Sequence, residues 1–302
     1  MGSESELTIV IPVLNEEEAI GKVLDELFKE GFRREQIVVV DGGSTDRTVD
    51  IAKSMGVKVV LQEGRGKADA IKTALKFVNT PYMLVMDGDY TYPAKYIRNL
   101  LELAKRCDLD EVIAARRYGR ENIPIVNRFG NWVLTQMFNL LFGTKLSDVL
   151  SGMYLVKKES VEDLLFTTKG FSIESEIVAH IAATTGKIGE YPIEYRKRIG
   201  CKKLKVVHGI RIALDMVRLA WQYNPVFFIA SIGALLLIPG IVLGVWVAYH
   251  YLFFGIKYYV KGLIALFLTL IGLQSLFIAI LALYLKRMEF RIVKRLSNVC
   301  RS

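Results

Sequence analysis

Two aspartates one residue apart, Asp87 and Asp89, close the uninterrupted apolar run Tyr82-Met83-Leu84-Val85-Met86. Such a run is the pattern of a strand buried on both faces of a parallel sheet, and ligands bind outside the carboxyl ends of strands of that kind. Side chains two apart on an extended chain lean the same way, and Gly88 between them lets a ligand or backbone come close. Paired carboxylates repel each other unless a cation neutralises them. A hard, oxygen-seeking Mg²⁺ or Mn²⁺, held together with substrate phosphates, is the usual guest. The plainer alternative is a strand end running into an Asp-Gly turn.

The segments that must position this pair repeat one pattern. Residues 7–13 read as a first buried strand, and Asn15-Glu16-Glu17-Glu18 open a helix to about residue 30, with Asn15 as its cap. A second strand over 36–40 closes on Asp41, and Asp41-Gly42-Gly43-Ser44-Thr45-Asp46 leads into another helix. A third strand over 57–61 is followed by Gly64-Arg65-Gly66-Lys67 and a helix through residue 78. Beyond the aspartates come a helix over 93–106, a strand over 111–115 and a late strand over 188–195. Strands alternating with helices predict βαβ units and a mostly parallel α/β sheet. Three strand ends then converge on one rim: Pro12 to Glu16, Asp41 to Ser44, and Asp87 to Asp89. The acids of the first two could accept hydrogen bonds from ribose hydroxyls or base N–H groups, and Arg65 and Lys67 could bring cations to a diphosphate. Neither G-x-G-x-x-G nor the P-loop pattern is present, so dinucleotide oxidoreductase and P-loop kinase readings lack their fingerprints.

Hydrophobic residues make up 52% of the 302, and the excess is concentrated towards the C-terminus. No Asp, Glu, Lys or Arg occurs over 219–256 or over 262–285. At ~1.5 Å per residue each stretch can cross a hydrocarbon core of ~30 Å, which predicts a two-helix transmembrane hairpin. The formal charge of +9 flanks these stretches: Lys286, Arg287, Arg291, Lys294, Arg295 and Arg301 follow the second, and Lys197 to Lys205, Arg211 and Arg218 precede the first. The positive-inside rule places both flanks in the cytoplasm. Anionic membrane lipids and substrate phosphates, not nucleic acid, are the partners this distribution suits. Residues 204–223 space Leu204, Val207, Ile210, Leu214, Val217 and Trp221 on one side of an amphipathic helix, the pattern of one lying in the membrane interface. The expected division is therefore a catalytic domain over 1–200, a basic loop and interface helix over 201–224, and membrane helices with a basic tail over 225–302.

Cys107, Cys201 and Cys300 lie far apart without any Cys/His cluster, so neither a zinc site nor a disulfide framework is supported. No signal-peptide pattern precedes Leu7. The apolar helix over 125–142 could be a core helix or one that dips into the membrane surface. Glu174 and Glu176 open another helix, where acids either reach a donor or simply suit the helix dipole.

Pro12-Val13-Leu14-Asn15-Glu16, Asp41-Gly42-Gly43-Ser44-Thr45-Asp46 and Asp87-Gly88-Asp89 together resemble the inverting glycosyltransferases of family 2. The resemblance covers about residues 7–200 and implies a GT-A-like, nucleotide-sugar-binding fold with a metal-binding Asp-x-Asp element. Asp148-Val149-Leu150-Ser151-Gly152-Met153 resembles an element of the dolichyl-phosphate mannose and glucose synthases, with Met153 in place of an aromatic residue. Arg116-Arg117 and Asn127-Arg128 resemble their acceptor-phosphate region. By that likeness Asp87 and Asp89 bind metal and diphosphate, and Arg117 and Arg128 bind a dolichyl or polyprenyl phosphate. Pro12, Asn15, Glu16, Asp41, Gly43, Lys67 and Arg198 then serve the nucleotide sugar. Thr91 stands where mannose synthases often carry Gln, so a UDP-sugar is favoured over GDP-mannose. The rivals are a membrane-anchored enzyme with another acceptor and a non-catalytic nucleotide-binding protein. A processive polysaccharide synthase would carry a Gln-x-x-Arg-Trp element, which is absent. A homo-oligomer is compatible with this reading.

Overall fold

The computed structural model describes residues 6–162, 164, 173–200 and 206–299. Phe171, Ser172, Cys201 to Lys205, Cys300 and Arg301 lie outside the described residues, as do the side chains of Val207, Lys286, Arg287, Arg291, Lys294 and Arg295. The chain forms two compact units, Met1–Leu219 and Ala220–Ser302.

The first unit is built on a seven-stranded sheet in the order β3-β2-β1-β4-β6-β5-β7. The strands are β1 (Leu7–Val13), β2 (Ile37–Asp41), β3 (Lys58–Leu61), β4 (Tyr82–Val85), β5 (Glu111–Tyr118), β6 (Tyr154–Lys157) and β7 (Ile188–Glu194). Pairing is parallel except at β6, which runs against both β4 and β5. Helices α1 (Ile20–Lys29), α2 (Thr48–Ser54), α3 (Lys67–Leu75) and α4 (Ile97–Cys107) supply the crossovers. α5 (Ile125–Phe142) and α6 (Ile173–Thr184) follow, and α7 (Val206–Tyr223) leads out. Ile9, Ile11, Val39, Leu84 and Leu155 pack against Leu24, Leu27, Ile97 and Leu100 of the covering helices to form the core. This is the doubly covered parallel sheet that continuous apolar strands require.

Two local readings differ from expectation. Asn15 does not cap α1, which starts only at Ile20 after Ala19. It takes a left-handed conformation (φ 50°), and its side-chain oxygen accepts from the Thr45 N–H at 2.8 Å, so it ties two rim loops together instead. β6 was not anticipated: four residues ending in Lys157 leave too short an apolar pattern to separate a strand from a loop.

In the second unit α8 (Pro225–Phe254) and α9 (Tyr259–Val299) run beside each other. The spans Pro225–Phe254 and Tyr259–Leu285, of mean hydropathy 2.6 and 2.5, are long and apolar enough to cross a membrane as a hairpin. Their backbones touch at glycines. A Cβ on Gly240 would lie 2.7 Å from the Thr269 nitrogen, and one on Gly272 would lie 2.6 Å from the Leu237 nitrogen. Small residues at the contact are how helices pack where no water drives them together. α7 is apolar on two sides: Ile212 and Met216 are buried, whereas Ile210, Leu214 and Val217 are exposed.

Candidate active site

β1 is flanked by β2 and β4, both parallel to it, with Val13 opposite Asp41 and Val10 opposite Val85. The three acidic strand ends therefore share one rim, and a cavity of about 510 Å³ opens there. Pro12 and Glu16 line it from β1, Gly42 from β2, and Asp87, Gly88 and Asp89 from β4. Lys67, the first residue of α3, and Arg198, in the segment after β7, line it from elsewhere.

The charges are tightly interlocked. Lys67 Nζ lies 2.5 Å from Asp87 Oδ1 and 2.6 Å from Glu174 Oε1. Burial alone would pull this ammonium down, but the charges of Asp87 and Glu174 outweigh it and hold Lys67 well above its ordinary range. Arg198 bridges Asp89 (2.8 Å) and Glu16 (2.5 Å). Burial and the neighbouring charge of Asp87 push the Asp89 carboxyl up, against the Thr91 hydrogen bond and Arg198, which pull it down. Thr91 donates to Asp89 Oδ1 from its hydroxyl at 2.5 Å and from its backbone at 3.1 Å. The segment carrying Arg198 is pinned by Arg196 N–H to the Thr91 carbonyl (2.9 Å) and by Ile199 N–H to the Asp89 carbonyl (3.2 Å). Glu174 thus faces the cavity from the first turn of α6, in contact with a cation that no local sequence pattern connects to it.

These residues suit a divalent cation. Four carboxylates (Glu16, Asp87, Asp89, Glu174) line the cavity with Lys67, Lys197, Arg198 and an Arg116 already paired to Asp148. The donors at the Asp-x-Asp element are oxygens, as Mg²⁺ and Mn²⁺ prefer. A Cβ at Gly152 would collide with the Asp87 carboxylate, so the space before that group is kept clear. Among the described residues no cluster of three or more His, Cys, Asp or Glu could hold a metal by itself. The remaining ligands would come from phosphate oxygens and water.

Arg116 is also in the lining and is buried. Its guanidinium grips Asp148 with two hydrogen bonds, 2.7 and 2.6 Å, and reaches the Leu150 carbonyl at 3.0 Å. Asp148 is placed in turn by Glu190 of β7, whose Oε1 accepts from Ser147 N–H (2.7 Å), the Ser147 hydroxyl (2.9 Å) and Asp148 N–H (3.0 Å). Ser151 donates to the Ala114 carbonyl at 2.6 Å, and Gly152 N–H donates to the Tyr92 hydroxyl at 2.6 Å. The Asp148 to Met153 loop is thereby fixed beside Asp87.

Pro12, Glu16, Lys67, Asp87, Asp89 and Arg198 are brought together in one lining. Asn15, Asp41, Gly43, Arg117 and Arg128 are not part of it. The Asp41 carboxylate is taken up by its own turn, accepting from Gly43 N–H at 3.0 Å and the Ser44 hydroxyl at 2.5 Å. Arg117 is exposed, at a register shift between β5 and β7 that falls between Arg116 and Tyr118. Arg128 is half-buried on α5, whose Asn127 and Asn131 do reach the cavity.

Among solved structures, glucosyl-3-phosphoglycerate synthase from Mycobacterium tuberculosis, captured with Mn²⁺, UDP-glucose and glycerol 3-phosphate, superposes with a TM-score of 0.57. The two share 20% identity over 72% of this chain and 80% of that one. The mostly parallel sheet with its acidic rim is thus the GT-A fold of glycosyltransferases. The chain belongs to glycosyl transferase family 2, whose model matches residues 8–165. It is 30% identical to glycosyltransferase AglJ of Haloferax volcanii over 99% of this chain and 100% of that protein. It is 34% identical to a dolichyl-phosphate hexose transferase of the same organism over 68% of this chain and 89% of the relative.

Proposed function

We propose that this glycosyltransferase moves a hexose or N-acetylhexosamine from a nucleotide sugar to dolichyl or another polyprenyl phosphate, with inversion at C1. The observation that carries the reading is the cavity itself. Four carboxylates, the Asp-x-Asp pair among them, line it together with Lys67, Arg116, Lys197, Arg198 and the polar Asn127 and Asn131 of α5. The printed name of the dolichyl-phosphate hexose transferase relative supports the lipid-phosphate acceptor.

A phosphate monoester has its second pKa near 6, so the acceptor is largely dianionic at neutral pH and needs no general base. Its oxygen forms the new bond to C1 while the bond from C1 to the diphosphate oxygen breaks, and the nucleoside diphosphate leaves with that electron pair. Mg²⁺ or Mn²⁺ at Asp87 and Asp89 would neutralise charge on the departing diphosphate. Lys67 and Arg198 supply fixed positive charge on the same side, and Glu16 and the Asp41 turn frame the nucleoside. Arg117 and Arg128 attract the acceptor phosphate towards the cavity mouth. Such preorganised partners hold charge where it develops and cost no reorganisation during the reaction. The donor favoured is a UDP-sugar, because the Arg65-Gly66-Lys67-Ala68 run and Thr91 resemble the glucose or N-acetylglucosamine branch of the family. α8 and α9 anchor the chain in the membrane with the catalytic unit on the cytoplasmic face, the side that the basic flanks select.

The test is purified full-length protein with Mn²⁺, labelled UDP- and GDP-sugars and dolichyl phosphate. A chloroform-soluble labelled glycolipid from a UDP-sugar is the expected product. Nucleotide release without that glycolipid would remove the lipid acceptor, and binding without release would remove the catalytic reading.

A further inference from the structure

Two hydroxyls within the membrane-length spans are paired inside their own helices. Ser231 of α8 donates to the Phe227 carbonyl at 2.7 Å, and Thr269 of α9 donates to the Ala265 carbonyl at 2.8 Å. Gln274 of α9 is different. Its side chain is exposed, and among the described residues it has no hydrogen-bond partner. It lies fifteen residues beyond Tyr259 and eleven before Leu285. At ~1.5 Å per residue that is roughly 15 Å or more from either end of the span, close to the middle of a hydrocarbon core of ~30 Å. A carboxamide brings two N–H donors and an acceptor, and lipid tails offer none of them a partner. The side of α9 that meets α8 lies elsewhere, where Gly272 approaches Leu237 and Ser275 approaches Gly233. Leu270, Ile271, Phe277 and Ile278, three and four residues from Gln274 along the helix, are all exposed. Gln274 is thus the polar centre of an open apolar face.

We propose that a second copy of the chain docks on this face of α9, with the two Gln274 carboxamides hydrogen-bonded to each other across a two-fold axis along the membrane normal. The partner must present a hydrogen-bonding group at the middle of the bilayer. Water and lipid phosphates lie at its surfaces, so the occupant is another protein helix. Copies of one chain insert the same way round, which puts Gln274 at the same depth in each. A carboxamide both donates and accepts, so it complements itself and brings no charge into the membrane. A contact that uses the same patch on both copies closes at two. Helices in lipid gain no hydrophobic drive from pairing and are held by packing and interhelical hydrogen bonds. Leu270 and Phe277 supply the packing on either side of the polar pair. The inference stands on the two spans alone and needs nothing from the donor or acceptor assignment.

The test uses the full chain with Cys107, Cys201 and Cys300 changed to Ser, reconstituted in phosphatidylcholine and phosphatidylglycerol liposomes. Donor and acceptor dyes are placed on separate copies through Lys257→Cys, an exposed position between α8 and α9. Energy transfer is followed as protein is diluted into lipid. Gln274→Leu should move the midpoint of dissociation several-fold towards higher protein density, and Gln274→Asn, which keeps the carboxamide, should move it less. An unchanged midpoint in Gln274→Leu overturns the proposal, and so does transfer no greater than random encounter at every density. Leucine makes the span more apolar, so the hairpin should still form, with the circular dichroism of the parent. Gln274→Met repeats the measurement should Leu disturb folding. Disulfide trapping then identifies the face. With Gln274 in place, Leu270→Cys and Phe277→Cys should each give covalent dimers under mild oxidation, whereas Cys at the equally open Leu235 of α8 should not. Trapping at 235 without trapping at 270 or 277 would overturn the assignment of this face.

Discussion

Two arginines line the cavity, and each holds a buried aspartate. Arg116 comes from β5, beside the edge strand β7, and binds Asp148 with two hydrogen bonds, both side chains being almost closed to solvent, at 10% and 7%. Arg198 comes from a segment beyond the last strand, splits its guanidinium between Asp89 and Glu16, and keeps about a quarter of its own side chain in solvent, at 26%. The first pair is saturated and braced from behind by Glu190. The second spans two rim loops, and its carboxylates are those a metal and a donor would claim. The contrast separates an ion pair that builds the wall of the site from one that can be exchanged for ligand.

Breaking the wall should have the larger effect on folding. Arg116→Ala leaves Asp148 charged, buried and without its main partner, a loss of ~3–5 kcal/mol. Thermal melting in detergent should show a large fall in Tm, and an unchanged Tm would put Arg116 in the exchangeable class. In the second pair, Asp89→Asn should keep the fold and lose turnover by ~10²-fold or more. Circular dichroism beside a Mn²⁺-dependent glycosyl transfer assay reads both halves, and retained activity would sink the metal argument.

Arg117 sharpens the comparison, since it is the exposed neighbour of Arg116 on the same strand. Arg117→Ala should raise the apparent KM for lipid phosphate by less than Asp89→Asn lowers turnover, and leave KM for nucleotide sugar nearly unchanged. An equal rise in both would move Arg117 to the donor side. The smallest effect is expected at Glu111, an acid on β5 with no charge partner among the described residues. Burial alone pushes it well above the ordinary carboxylate range. With a raised native pKa the folded chain holds a proton that the unfolded chain has released, so this residue lowers stability as pH rises from about 4 upward. Glu111→Gln should flatten that part of the Tm-against-pH curve, and an identical curve would mean that Glu111 titrates normally.

The parts legible in the sequence are those where local pattern and global role coincide. The strands ending at Val13, Asp41 and Val85 are continuous apolar runs, and their acidic ends fall on one rim because β2, β1 and β4 are neighbours. The two membrane-length helices need only composition to be seen. What stayed hidden depends on partners distant in sequence. Glu174 reads as a first-turn acid until Lys67 is found beside it. Arg198 reads as one cation in a basic run until it is seen bridging Asp89 and Glu16. Arg116 reads as one of two adjacent arginines until it is seen gripping Asp148, at the point where the β5–β7 register shifts.

Gly152 shows how little freedom such a cavity leaves. A single methyl group there would run into the Asp87 carboxylate. It would act as a built-in inhibitor, covalently tethered and always at full concentration, competing for the space a ligand must enter. A Gly152→Ala protein would still display both aspartates to anyone reading its sequence, and a motif search would pass it as intact.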